Sequence, residues 1–238
     1  MARITNKGIS GVIGPVIYYS VNGNDYVRSK PGRRKKKRGQ PENPLNTIFG
    51  TVSRYGSSMI KSMSKSFQFP FSLNTYNRVR GWMRDRYAAH KDDEIWELSA
   101  YTGLMCQLNT ETDIRDFWWE GITVSDKGNG IVSVFFPGVD PVKAIRAPLH
   151  TQNVHIKIIA LSSPFRNSPY PHQFCLQQYQ FNYNSQVVPA KEIELQTAAS
   201  AGDIAILVLA IEFETTAGYP AEKRWMPAAI VAMGKLKS

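Results

Sequence analysis

The alternation of apolar and polar side chains predicts a β-sheet domain in the second half of the chain. Val154, Ile156 and Ile158 are apolar, and we expect them to face a core. The intervening His155 and Lys157 are expected to face solvent or a partner, as in a sheet with one wet face. Further strands are predicted where comparable β-forming runs occur, over residues 130–136, 173–183, 204–213 and 228–233. Because Pro, Gly and Asn clusters rather than helices separate these runs, they indicate an antiparallel β-sandwich.

Two amphipathic helices are predicted between residues 41 and 109. Apolar residues recur at steps of three and four from residue 45 to residue 67, which is the period of a helix with one buried face. Ser72 is the predicted N-cap of a second helix. Arg80 and Arg84 lie four residues apart on the polar side of that second helix, so they share one face.

The first thirty residues predict a β-hairpin with its turn at Asn22-Gly23. A hairpin of this size is not stable alone, so its apolar side chains must dock on the rest of the chain or on another subunit. Glycines in the first strand either relax that strand or let another backbone approach closely. The residues predicted to mediate this docking are two glycines and four apolar or aromatic residues: Gly11, Gly14, Val12, Val16, Ile17 and Tyr19.

Positive charge is concentrated in the first part of the chain. Residues 1–90 contain 17 Lys/Arg and 3 Asp/Glu, a net charge of +14. Residues 91–238 contain 12 and 16, a net charge of −4, so the two parts sum to the +10 of the whole chain. Six consecutive cations account for much of the excess: Arg33, Arg34, Lys35, Lys36, Lys37 and Arg38. Like charges at this density, bounded by glycine and proline, predict a solvated basic arm that awaits an anionic partner.

The histidines, cysteines and carboxylates form no motif with catalytic or metal-binding spacing. There is no C-x-x-C or H-E-x-x-H sequence, and Cys106 and Cys175 are too few for a disulfide scaffold. His172 lies three residues before Cys175, but no third group is evident that would orient the pair for nucleophilic chemistry. We therefore expect neither enzymatic activity nor a cofactor.

Hydropathy predicts a protein without a membrane span. The longest apolar run, residues 204–211, has the length of a strand rather than the roughly 18–20 residues of a membrane helix. Glycines and a proline interrupt the modestly apolar stretch that follows Arg3 and Lys7, and no small-residue cleavage site follows it. We therefore expect no secretory signal and a location in the cytoplasm or within a virus-like particle.

The beginning of the chain resembles a known group of proteins. Gly8-x-x-Gly11-x-x-Gly14-Pro15-Val16, followed by Val27-Arg28-Ser29-x-Pro31 and a basic stretch, is similar to the opening of a large family of uncharacterised Bacteroidota proteins. Residues 205–214 and 227–232 resemble the ending of the same family. The resemblance implies a Gly-rich N-terminal hairpin, a Lys-rich linker, helices and a β-rich C-terminal half. The family has no assigned activity, so the resemblance implies no site residues.

Together these features predict a mainly β chain with an α segment. The predicted parts are an N-terminal β-hairpin and basic arm over residues 1–40, two helices over 41–109, and an antiparallel β-sandwich over 110–238. A basic arm joined to a β-sandwich is also the layout of many small viral coat proteins.

We expect a non-catalytic, self-assembling structural protein, a homo-oligomer whose basic arm binds nucleic acid or another polyanion. Lys and Arg contact phosphates rather than base edges, so this binding is expected to be independent of sequence. The candidate contacts are the six arm cations together with Arg80 and Arg84. The same two helices bear further cations that can contact phosphate: Arg54, Lys61, Lys65, Arg78 and Arg86. The alternative is a structural or surface-assembly protein built by exchange of N-terminal strands, without nucleic acid.

Overall fold

The fold is mainly β with an α segment, as predicted. The computed structural model describes residues 3–5, 8–21, 24–32, 44–93, 96–98, 105–118, 120–165 and 173–237. Within these ranges every paired strand is antiparallel to its neighbour. The chain divides into two compact units, Met1–Glu42 and Asn43–Ser238. The helices and the C-terminal sheets thus form one compact unit, and the predicted boundary near residue 110 does not separate two such units.

The N-terminal unit is a four-stranded antiparallel meander. Its strands pair in chain order: β1 (Arg3–Thr5), β2 (Gly8–Ile13), β3 (Val16–Val21) and β4 (Asn24–Ser29). The prediction of one hairpin was therefore incomplete, because residues before β3 form two further strands. The predicted turn after Val21 is consistent with the pairing of Val21 with Asn24, although residues 22 and 23 themselves lie outside the described residues.

A second turn at Gly14-Pro15 explains the difference. Ile13 pairs with Val16 across these two residues, so the chain reverses where a continuous strand was predicted. Gly14 has a φ of 56°, which glycine adopts without steric cost. Pro15 has no N–H to give to a sheet, which also favours a turn over a strand at this point.

The C-terminal unit contains three helices and eight strands among its described residues. The helices are α1 (Pro44–Ser64), α2 (Leu73–His90) and the short α3 (Pro141–Ala144). The strands are β5 (Cys106–Gln107), β6 (Thr123–Gly128), β7 (Ile131–Phe136), β8 (Thr151–Ser163), β9 (Gln173–Asn182), β10 (Lys191–Gln196), β11 (Ile204–Thr215) and β12 (Ala228–Lys235).

These elements form three layers. The middle layer is a five-stranded sheet in the order β5-β12-β11-β8-β9, and one outer layer is a three-stranded sheet in the order β10-β7-β6. The two sheets enclose one core, to which Val134, Ile156 and Leu209 contribute. Helices α1 and α2 cover the other face of the middle sheet, and a second core there includes Tyr55 and Ile206.

The two cores explain the apolar patterns of the strands. Val154, Ile156 and Ile158 are at most 1% exposed and face the core between the sheets, which confirms the predicted alternation. Residues 204–213 of β11 are buried without interruption because that strand lies in the middle of a sheet covered on both faces. The prediction of a sheet with one face in water is therefore wrong for the middle sheet, because helices cover its second face.

The surroundings of Lys157 differ from the prediction that this second face is open to solvent. Its side chain is only 14% exposed, and its Nζ donates to Glu212 Oε1 at 2.7 Å and to the carbonyl oxygen of Ser66 at 3.0 Å. Ser66 lies in the connection between α1 and α2. The prediction for Lys157 was wrong because the helical layer, which period-two alternation does not reveal, reaches over this part of β8.

Helix α2 begins at the predicted residue and packs closely on α1. The predicted N-cap of α2 is confirmed: Ser72 Oγ accepts a hydrogen bond from the Thr75 N–H at 3.1 Å. At Gly56 of α1 the helices come close, since a Cβ there would lie 3.3 Å from Met83 Sδ of α2. Within the described residues, no helix is both long enough and apolar enough to span a membrane.

Candidate polyanion-binding surface

The helical layer carries a strong excess of positive charge. Residues 44–91, which contain both long helices, have eight Lys/Arg and a single acidic residue, Asp85. Helix α1 contains no acidic residue at all. Because the apolar sides of both helices are buried against the middle sheet, most of these cations lie on the outer side of the layer or along its edges.

Helix α1 presents one row of exposed cations. Arg54, Lys61 and Lys65, the last just beyond the end of the helix, are exposed, and spacings of seven and four residues align them on one side. Within the part of the chain that the structure describes, neither lysine has an acidic side chain within ion-pair distance. These three residues are among the helical cations that the sequence predicts to contact phosphate.

Helix α2 carries Arg80 and Arg84, which the sequence analysis gave as candidate polyanion contacts. Arg80 donates from Nη2 to Asn77 Oδ1 at 2.6 Å, and its Cγ lies 3.6 Å from the position of a Cβ at Gly56, so it lies at the junction with α1. The Arg84 side chain is 45% exposed and pairs with the Asp85 carboxylate at 2.7 Å. An exposed pair of this kind contributes little to stability, so a phosphate can replace Asp85 as the partner at small cost.

The remaining predicted contacts belong to the N-terminal unit. The six arm cations, residues 33–38, lie outside the described residues. The predicted docking residues are spread over a turn and two strands: Gly11 and Val12 on β2, Gly14 in the turn, and Val16, Ile17 and Tyr19 on β3.

The register shows which of these docking residues share a face. Val12 lies opposite Ile17, and Tyr19 follows two residues later on the same side of the sheet, whereas Val16 points to the other side. Tyr26 of β4 stacks on Tyr19 with ring centroids 5.6 Å apart. No residue of this unit for which exposure is described is buried, so its apolar side chains remain partly exposed.

Two clefts open on the C-terminal unit. The larger, about 580 Å³, lies between residues 115–118, 120 and 121 on one side and 137–146 on the other, and contains charges of both signs. Its Lys143 pairs with Asp140 at 3.2 Å, and its Arg115 pairs with Asp113. This balance of charge makes it a poor polyanion site. The second cleft, about 510 Å³, lies beside α2. It includes Arg78, one of the helical cations predicted to contact phosphate, and Trp82, for which the sequence predicts no role.

The two cysteines do not have the features of catalytic nucleophiles. Burial raises the pKa of Cys106 to about 11 and also raises that of Cys175, so both thiols are protonated at neutral pH. His172, which precedes Cys175 in the sequence, lies outside the described residues. Among the residues that are described, no three His, Cys, Asp or Glu side chains cluster in a way that could hold a metal ion.

Comparison of the chain with models of protein families, with curated proteins and with solved structures finds no match. Membership of the Bacteroidota family therefore stays a prediction. The assignment of a function rests on the charge and geometry of the surfaces described above.

Proposed function

We propose that this protein is a non-catalytic, self-assembling structural protein that binds nucleic acid or another polyanion without sequence specificity. The contacts are the arm cations at residues 33–38 and the outer face of the helical layer. The observation that carries the proposal is the eight-to-one ratio of basic to acidic residues over residues 44–91, in a unit whose remaining surface is acidic on balance.

This clustering of basic residues destabilises the folded state. Like charges on one face repel each other, and α1 has no acidic residues with which to form stabilising pairs one helical turn away. Scattering the same cations over the acidic part of the chain would remove that repulsion. An anionic partner explains the clustering, because each phosphate that a Lys or Arg neutralises releases condensed counterions and favours binding.

The N-terminal sheet supports the self-assembly part of the proposal. Covering the apolar side chains on one face of a sheet adds hydrophobic stabilisation, and no residue of this sheet for which exposure is described is buried. A second copy of the chain that covers the face with Val12, Ile17 and Tyr19 would supply that burial. The setting that fits both parts is a homo-oligomer or a particle that holds nucleic acid, in the cytoplasm or within a virus-like particle.

The salt dependence of binding tests the proposed contacts. Replacing all six arm cations by serine should lower the slope of log K against log salt concentration by about five, because each lost phosphate contact contributes about 0.9. Replacing Lys61, Lys65, Arg80 and Arg84 by serine should lower the slope by about three to four for the same reason. Fluorescence anisotropy with a labelled double-stranded oligonucleotide measures both slopes.

A charge-matched variant provides the control. It replaces four exposed cations that lie outside the helical layer by serine: Lys143, Lys223, Arg224 and Lys237. We expect its slope to stay close to that of the unmodified protein. If the control and the helix variant lose the same slope, net charge rather than the helical surface governs binding, and the proposed interface is wrong.

A further inference from the structure

The cleft beside α2 contains an aromatic side chain, and a row of cations lies outside the cleft on the same helix. Trp82 and Arg78 are four residues apart and line the cleft, whose opposite wall is formed by residues 105–113. Arg80 and Arg84 form a separate row on α2. At 100° per residue, Gly81 lies between the two rows on the outer side of the helix. A Cβ at Gly81 would have no atom within 4 Å, so the surface between the rows is open.

We infer that this cleft, which we call the α2 cleft, binds a base of single-stranded nucleic acid, with the base stacked on Trp82. The phosphate chain then crosses α2 at Gly81 to reach Arg80 and Arg84. The inference rests on the proposed function and adds to it a preference for unpaired strands, because a base inside a duplex is not available for stacking on a side chain.

The charges in the α2 cleft favour a base over a phosphate. Glu111 and Asp113 lie in its wall, and a hydrogen bond from Arg115 lowers the pKa of Asp113, so this carboxylate is ionised at neutral pH. Asp113 is paired with Arg115, whereas the Glu111 side chain is 53% exposed and its nearest cation, Lys223 Nζ, lies 4.0 Å away. Glu111 can therefore accept a hydrogen bond from the amino group of a base. The guanidinium of Arg78 is already engaged, since its Nη2 donates to the carbonyl oxygens of Gln107 and Leu108.

The size and polar groups of the α2 cleft agree with a heterocyclic ligand. Its volume of about 510 Å³ is room enough for a base, and the cleft is open to solvent, so a base of a longer strand can enter it from outside. Arg78 Nε and Thr112 Oγ1 are buried and have no hydrogen-bond partner among the described residues. Most buried polar atoms are paired, so two unpaired ones in residues that line a single cleft indicate that a ligand or a local rearrangement completes the site.

Trp82 supplies the contact that recognises a base. Its side chain is half-buried, which leaves part of the indole accessible from the cleft. Stacking of a base on an aromatic side chain is tolerant of sequence, because every base has a π face. Stacking at the α2 cleft is therefore compatible with binding that does not discriminate between sequences.

An abasic oligonucleotide separates base stacking from phosphate binding. It carries the same phosphates as an oligothymidylate of equal length but has no bases. At one salt concentration, the full-length protein should bind the oligothymidylate about 5- to 150-fold more tightly than the abasic strand, which is the range for one stacked base. Trp82→Ala should abolish this ratio and leave both the abasic affinity and the salt slope unchanged, whereas Trp82→Phe should retain most of the ratio.

The outcomes distinguish the two proposals. Equal affinity of the unmodified protein for both strands, or equal weakening of both by Trp82→Ala, overturns base binding in the α2 cleft and leaves phosphate binding intact. Failure to bind either strand overturns the proposed function itself. Near-ultraviolet circular dichroism and the melting temperature verify that both Trp82 variants are folded, and Trp82→Phe provides the comparison if Trp82→Ala is not.

Discussion

Lys157 shows how much the surroundings of a single residue matter. Its ammonium and the Glu212 carboxylate form a pair with side chains that are 14% and 10% exposed, in contact with the connection between α1 and α2. A solvent-facing lysine on a strand contributes less than about 0.5 kcal/mol to stability. A nearly buried pair behaves differently, because loss of one partner leaves the other charge desolvated and unpaired.

We therefore predict that Lys157→Ala lowers the free energy of unfolding by about 3–5 kcal/mol. The paired variant Lys157→Met/Glu212→Leu should recover most of this loss, since apolar residues of similar volume replace a buried ion pair at little cost. Chemical denaturation of the two variants measures both effects. A loss of less than about 0.5 kcal/mol for Lys157→Ala would show that water screens the pair.

At the scale of elements, the two glycines of the helix pair have different surroundings. Gly56 of α1 faces α2, and a Cβ there would meet Met83 Sδ at 3.3 Å and Arg80 Cγ at 3.6 Å. Gly81 of α2 faces outward, where a Cβ would have no neighbour within 4 Å. Glycine is a poor helix former at both positions, so only the packing distinguishes them.

We predict that Gly81→Ala raises the free energy of unfolding by about 0.5–1 kcal/mol, because it restricts the unfolded chain and adds no clash. Gly56→Ala should stabilise less or destabilise, because Met83 must move to make room. Thermal denaturation compares the two variants. A lower melting temperature for Gly81→Ala than for Gly56→Ala would contradict an open outer face on α2.

At the scale of the whole molecule, the two units differ in burial: no residue of the N-terminal sheet for which exposure is described is buried, whereas the C-terminal unit has two cores. All residues of both cores lie between residues 52 and 236, within the C-terminal unit. The N-terminal unit contributes no described residue to either core. The buried apolar surface that the structure describes therefore belongs to the C-terminal unit, and the proposed function assigns assembly to the N-terminal sheet.

We predict that two truncations separate these roles. Deleting residues 1–31 should leave a folded protein that retains the salt slope of polyanion binding but no longer forms the proposed homo-oligomer. Deleting residues 1–42 should in addition lower the slope by about five, because it removes the arm cations. Light scattering, near-ultraviolet circular dichroism and binding titrations measure the three properties. An oligomer of unchanged mass after deletion of residues 1–31 would exclude the N-terminal sheet from assembly.

Local chemistry in the sequence by itself determined several elements of this protein. The period-two pattern predicted β8 and the buried side of Ile156, and an N-cap serine predicted the start of α2 at Ser72. The turn after Val21 followed from an Asn-Gly pair. These features depend on backbone propensity, capping and alternation over a few residues, which sequence records directly.

Only the tertiary structure decided which faces meet. β5 is two residues long and exists because Cys106 and Gln107 pair with Ile230 and Ala229 of β12, more than a hundred residues later in the chain. The helices cover the second face of the middle sheet and enclose Lys157, and the α2 cleft forms because Arg78 and Trp82 meet residues 105–113. Such contacts depend on burial between elements distant in sequence, and neither periodicity nor local propensity specifies the partner of an apolar face.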